Sequence, residues 1–112
     1  MIRATLRMRV RPGGERAFER AFDAVAAATS REPANLRQSL LRGDEPDTYV
    51  ITSDWESLDA FRAFERSPDQ DRLTAPLREL RVSAEMRVDE IVRHVDADGT
   101  GTGRTEHERE SR

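Results

Sequence analysis

The stretch DTYVITSDWES, Asp47 to Ser57, contains the single Tyr and the single Trp of the chain. Successive side chains of an extended strand point to opposite faces, so Tyr49, Ile51, Ser53 and Trp55 share one face. Thr48, Val50, Thr52 and Asp54 share the other. The indole falls at the strand's end, just before a helix start. Ser57 has an N-cap hydroxyl and Asp59 the charge favoured in a first turn. The aromatic face therefore reads either as ordinary core or as the wall of a pocket between a sheet and the helix that follows.

Working outward, Ile2 to Arg11 alternates apolar and polar residues, with Ile2, Ala4, Leu6, Met8 and Val10 on one face, which predicts a half-buried strand. RPGGE breaks it at Pro12-Gly13-Gly14. Phe18, Ala21, Phe22, Val25 and Ala28 then recur at steps of three and four, predicting an amphipathic helix from Glu15 to about Arg31, ended by Pro33. Asn35 to Arg42 reads as a second strand, Gly43 to Asp47 as a hairpin loop, and Thr48 to Trp55 as the third strand. A short helix after Ser57 is expected to bury Leu58, Phe61 and Phe64. A further helix starts at Pro68 behind a Ser67 cap, with Leu73, Leu77 and Leu80 on one side and a kink or break at Pro76. Val82 to Val88 alternates as a fourth strand, with a bulge or strand end at Asp89-Glu90.

The order β-α-β-β-α-β predicts an α+β, ferredoxin-like antiparallel sheet with both helical segments on one face. The domain is expected over 1–95, followed by a disordered polar tail over 96–112, which has no large apolar residue to bury. Asp54 and Glu56, flanking the Trp, are expected to be solvated surface.

Composition narrows the chemistry. At 112 residues, with 36% hydrophobic and 37% charged content, the chain has the size of one domain. No apolar run approaches the roughly 20 residues of a membrane span, and no targeting segment is visible, so a cytoplasmic location is expected. All 19 basic residues are Arg, interleaved with 22 acids at a net charge of −3, which gives no electrostatic footprint for nucleic acid. Cys is absent and His occurs only at positions 94 and 107, too few for a thiolate or His-rich metal site or for a Cys nucleophile. His94 is a lone candidate base near the end of the last strand.

The run YVITSDWESLDAFRAFERSP, with RMRVRPGGERAFERAFDAV upstream, resembles the antibiotic biosynthesis monooxygenase domain family over nearly the whole chain to about Val95. The resemblance implies a homodimeric α+β barrel with a pocket between each sheet and its own helices. It also implies oxidation of phenolic or anthrone-type polyketides by O2 with no metal or flavin. Quinone-forming members carry an Asn four residues before the Trp, where this chain has Ile51. Haem-degrading relatives need an Asn on the first strand and a His on the second helix; the matching positions here are Leu6 and Phe64 or a neighbour of it, and neither is polar.

Trp55 is accordingly the candidate catalytic residue, as a donor of its indole N–H to a substrate oxygen. Its other reading is a core aromatic covering the sheet end. Ser53 is a second donor, and Leu6, Met8, Ile51, Phe61 and Phe64 are candidate substrate-binding residues for a flat aromatic ligand. The expected activity is a cofactor-independent monooxygenase acting on a small aromatic substrate and O2, as a homodimer, with no cofactor, metal, nucleic acid or membrane. The alternatives are a polyketide ring cyclase without redox chemistry and a non-catalytic small-molecule-binding dimer.

Overall fold

A computed structural model describes residues 1–97 and 101–102. Its elements are β1 (Ile2–Val10), α1 (Glu15–Thr29), β2 (Asn35–Arg42), β3 (Thr48–Trp55), α2 (Leu58–Glu65), α3 (Pro68–Leu80), β4 (Arg81–Glu90), β5 (His94–Val95) and β6 (Gly101–Thr102). β1 to β4 form one antiparallel sheet in the order β2-β3-β1-β4. This is the expected ferredoxin-like α+β architecture. β5 and β6 pair separately, joining Val95 to Gly101 and His94 to Thr102. The rest of the polar segment expected as a tail, 98–100 and 103–112, lies outside the described residues.

β1 is central and pairs on both sides. Against β3 the register runs from Ile2 opposite Trp55 to Arg9 opposite Thr48. Against β4 it runs from Ile2 opposite Glu90 to Arg9 opposite Ser83, with an irregularity before Val10 meets Arg81. Ile2, Ala4, Met8 and Val10 are all buried, as the alternation predicts. β4 extends the sheet at its edge and ends at Glu90, where the paired acids interrupt the alternation.

The turn into α1 depends on glycine. Gly13 has φ 84°, in the left-handed region where a side chain is strained, and Gly14 donates to the Arg11 carbonyl at 2.9 Å. α1 then packs Phe18, fully buried, onto Met8, Val10, Tyr49 and Leu77. Covering one such side chain is worth about 1.5–3 kcal/mol. A second cluster gathers Ile2, Ala4, Trp55 and Phe61 at the other end of the sheet. The Ser57 and Ser67 hydroxyls accept from the Ala60 and Gln70 amides, so both expected caps form.

Four expectations need correction. α1 stops at Thr29, short of the expected end near Arg31, because the Arg31 and Glu32 amides turn back onto the Ala28 and Thr29 carbonyls ahead of Pro33. α3 is one helix through Pro76, so the chain does not break there; the residue is exposed and costs the helix a single backbone hydrogen bond. Leu58, expected to be buried, is 43% exposed at the first position of α2. Asp54 is the largest departure, being 3% exposed rather than solvated.

Asp54 is covered because the flanking strands both place Arg beside it. Arg3 donates through Nε and Nη2 to the two carboxylate oxygens at 2.7 and 3.0 Å, and Arg37 Nε lies 3.8 Å away from the other side. The bidentate pair ties β1 to β3 on the sheet face that carries no helix. Asp54→Ala is expected to lower the unfolding free energy by about 1.5–3 kcal/mol, the worth of hydrogen bonds to a charged group whose partner can rehydrate. An unchanged urea midpoint would remove that role.

At the opposite end, the Tyr49 hydroxyl donates to Glu19 Oε2 at 2.5 Å and Arg42 Nη2 donates to the same oxygen at 2.9 Å. The Tyr49 hydrogen bond, and then Arg42, hold the Glu19 carboxyl below its ordinary range. A lowered folded pKa contributes stability that is present above the unfolded pKa and is lost as pH falls through the folded value. Glu19→Gln should therefore be less stable than the parent near neutrality, and the gap should close as pH drops below about 4. A gap that stays constant across that range in denaturant melts would refute the linkage.

Candidate functional site

The two apolar clusters do not merge, and a cavity of about 100 Å³ occupies the seam between them. Its floor is the sheet: Ala4 and Leu6 from β1, Ile51, Ser53 and Trp55 from β3, Gln38 from β2 and Met86 from β4. Its roof is helical, with Phe22, Val25 and Thr29 from α1, Phe61 and Phe64 from α2, and Gln70, Thr74 and Leu77 from α3. No ionisable side chain lines it among the described residues.

The structure brings Trp55, Ser53, Leu6, Ile51, Phe61 and Phe64 to this one cavity. Met8 is not among its walls. It is 1% exposed and sealed against Phe18 and Tyr49, because it lies one step further along β1, where α1 sits directly on the sheet. Trp55 is also only 1% exposed, with its ring 5.6 Å from Phe61 and 4.9 Å from Phe64, in tilted contacts. Such ring pairs add about 0.5–1.5 kcal/mol each beyond area burial.

The indole N–H is engaged within the protein: Trp55 Nε1 donates to Ser53 Oγ at 2.9 Å. Trp55 and Ser53 were expected as two separate donors, and the structure joins them in series. With one lone pair taken by the indole, the Ser53 hydroxyl has its own proton left to give, and no acceptor receives it among the described residues. The indole N–H is thus satisfied within the protein, and the hydroxyl left with a proton to give is that of Ser53.

Several polar groups of the cavity escaped the sequence reading. Thr29 is 4% exposed, and its hydroxyl has no hydrogen-bond partner among the described residues. Gln38 Nε2 donates to the Ala26 carbonyl at 3.0 Å, leaving the amide oxygen to accept. The Gln70 side-chain amide is unpaired among the described residues, whereas the Thr74 hydroxyl is used, donating to the Gln70 carbonyl at 2.9 Å. Thr29 follows Phe22 and Val25 on one helix face, and Gln38 shares a strand face with Leu40, so the spacing did place them inward. Polarity argued the other way.

Leu6 and Ile51 stand directly opposite each other in the β1–β3 register. The two positions at which the resemblance implies an Asn therefore form one apolar contact across the cavity floor. His94 lies elsewhere, its Nε2 contacting Arg37 and, at 3.0 Å, Asp96 Oδ1. Among the described residues no group of three or more His, Cys, Asp or Glu is placed to hold a metal ion.

The family model described as antibiotic biosynthesis monooxygenase matches residues 1–75. The chain belongs to this family. SnoaB, a cofactor-independent oxygenase from Streptomyces nogalater, has 30% sequence identity and a TM-score of 0.73, covering 80% of this chain and 91% of its own. A single-residue variant of SnoaB gives 29% identity and a TM-score of 0.75, covering 83% of this chain and 94% of its own. A Bordetella bronchiseptica protein assigned to the same class shares the fold at 23% identity, with a TM-score of 0.74 and coverage of 81% and 96%. No curated protein sequence matches the chain. Relative to what the family resemblance implies, this monooxygenase-type domain keeps the strand-end Trp and draws its polar groups from Ser53, Thr29, Gln38 and Gln70.

The Trp55–Ser53 bond makes a stability prediction. Ser53→Ala strands a buried indole N–H, which should cost about 1–3 kcal/mol. Ser53→Thr, which keeps the oxygen, should recover most of that loss in thermal melts. Equal stability of the alanine variant and the parent would show that the bond does not matter.

Proposed function

We propose that the protein is a cofactor-independent monooxygenase that oxidises an electron-rich phenolic or anthrone-type aromatic with O2. The observation that carries this reading is an aromatic-walled cavity, free of ionisable side chains among the described residues, into which Ser53 turns a hydroxyl polarised by Trp55. SnoaB, a cofactor-independent oxygenase of the same fold, supports it.

The chemistry asks little of the protein. A phenolate is electron-rich enough to reduce O2 directly. One oxygen atom then stays on carbon and the other leaves as water, so that CH2 and O2 become a carbonyl and H2O. With no base lining the cavity among the described residues, the first proton is lost to water before the ring is enclosed. Apolar walls exclude water, and the neutral donors stabilise charge developing on oxygen in a low-dielectric site. The molecule works as a cytoplasmic homodimer joined through the helix-free sheet face, where Leu41, opposite Val50, is 49% exposed.

Leu6 facing Ile51 favours a second reading, a ring cyclase that acts by shape without redox chemistry. Metal-free protein supplied with anthrone should consume O2 and yield the quinone with one O2 per turnover. Ser53→Ala should lower kcat by about 10²-fold, as removal of one oxyanion donor does. Turnover undiminished under argon would replace the oxygenase with the cyclase, and binding without product under either gas would leave neither.

A further inference from the structure

A second cleft of about 290 Å³ adjoins the cavity on the side of α3 and β4. The two share Leu6, Gln70, Thr74, Leu77 and Met86 as a common wall. Beyond that wall the cleft adds Ala84, Arg78 and Arg81. The inner space alone, about 100 Å³, falls below the roughly 300 Å³ at which small-molecule sites begin. A polycyclic substrate seated on Trp55 must therefore push past the shared wall. Met86 is suited to yield, being an unbranched side chain on an edge strand and 43% exposed.

The two arginines differ in state. Arg78 is satisfied, donating to the Asp71 carbonyl at 2.8 Å and lying 3.4 Å from the Asp71 carboxylate. Arg81 has no carboxylate partner among the described residues; its guanidinium reaches only the Met8 sulfur, at 3.9 Å. Arg9, Arg20 and Arg31 also make no salt bridge among the described residues, but they are exposed, whereas Arg81 is half-buried against an apolar wall. Its position is fixed by the backbone, because Arg81 ends α3 and opens β4 opposite Val10.

We infer that Arg81 is the anchor for a carboxylate carried at the far end of the aromatic substrate, so that the enzyme selects an aromatic acid over its neutral counterpart. This rests on the reading of the inner cavity as the aromatic site. Burial, with Arg78 beside it, pulls the Arg81 guanidinium below its ordinary pKa, and an incoming anion acts in the opposite direction by favouring the charged form. The planar fork of Arg offers two parallel hydrogen bonds to a carboxylate, which fixes the long axis of the substrate as well as its charge. Arg81 touches no reacting atom in this arrangement; it sets which molecule lies on Trp55 and Ser53, and in which direction.

The test uses the full chain and a matched pair of probes, anthraquinone-2-carboxylate and anthraquinone-2-carboxamide, titrated against the fluorescence of the single Trp. The parent should bind the carboxylate at least 10-fold more tightly, with a preference that shrinks as salt is raised. Arg81→Met should remove the preference while leaving the carboxamide affinity within about 2-fold of the parent, and Arg81→Lys should restore part of it. Arg72→Met, at an exposed Arg on the same helix paired with Asp69, is the control and should change nothing. A preference that survives in Arg81→Met, or a parent that binds both probes equally, overturns the anchor and leaves the aromatic site standing. Failure of both probes to bind a folded parent overturns the cavity reading, and the anchor with it.

Discussion

The register of β1 against β3 is the constraint on which the rest of the structure depends. With Ile2 opposite Trp55 and Leu6 opposite Ile51, every apolar residue of the central strand faces the helices. A slip of one residue would turn that whole set to the other side. The same register sets Arg3 beside Asp54, and the bidentate pair locks the alignment from the helix-free face. Core and salt bridge are thus two consequences of one alignment, read on opposite faces of the sheet.

That alignment also explains the cavity. α1 lies close on the sheet over Met8, Val10 and Tyr49, and α2 packs over Ile2, Ala4 and Trp55. Between these two footholds the helices span a gap that Leu6 and Ile51 only partly fill. The space is apolar on nearly every side, so the few polar groups that reach it are worth more there than in water. Ser53 is the best defined of them, because Trp55 has already committed one of its lone pairs. A charged side chain in this seam would face a desolvation cost that no neighbour among the described residues is placed to offset. Charge therefore belongs outside, at the cleft where Arg81 stands.

Fold and site were legible in the sequence to different depths. Period-two alternation, the glycine turn and the serine caps are local signals, and each predicted element formed within a few residues of its expected bounds. Six of the seven expected site residues share one cavity, since strand parity puts Leu6, Ile51, Ser53 and Trp55 on the helix face and helical spacing turns Phe61 and Phe64 to one side of α2. Met8 obeyed the same parity and still fell outside, because parity does not say where along a strand a helix touches down. Pro76 did not break α3, because an exposed proline removes only one backbone hydrogen bond from a helix held by its apolar side.

By itself, the sequence determined the antiparallel α+β fold, the face on which Trp55 lies, and a chemistry without thiolates or a His cluster. Those conclusions need only periodicity, capping and composition, which are properties of neighbouring residues. Only the tertiary structure decided that Asp54 is buried, that the Trp55 indole donates to Ser53, that Thr29, Gln38 and Gln70 reach the cavity, and that Arg81 stands beside it with no carboxylate partner among the described residues. Each of these depends on what a distant strand or helix brings within hydrogen-bonding reach. Asp54 is buried by Arg3 and Arg37, residues 51 and 17 positions away in the chain, and no local pattern reports their arrival.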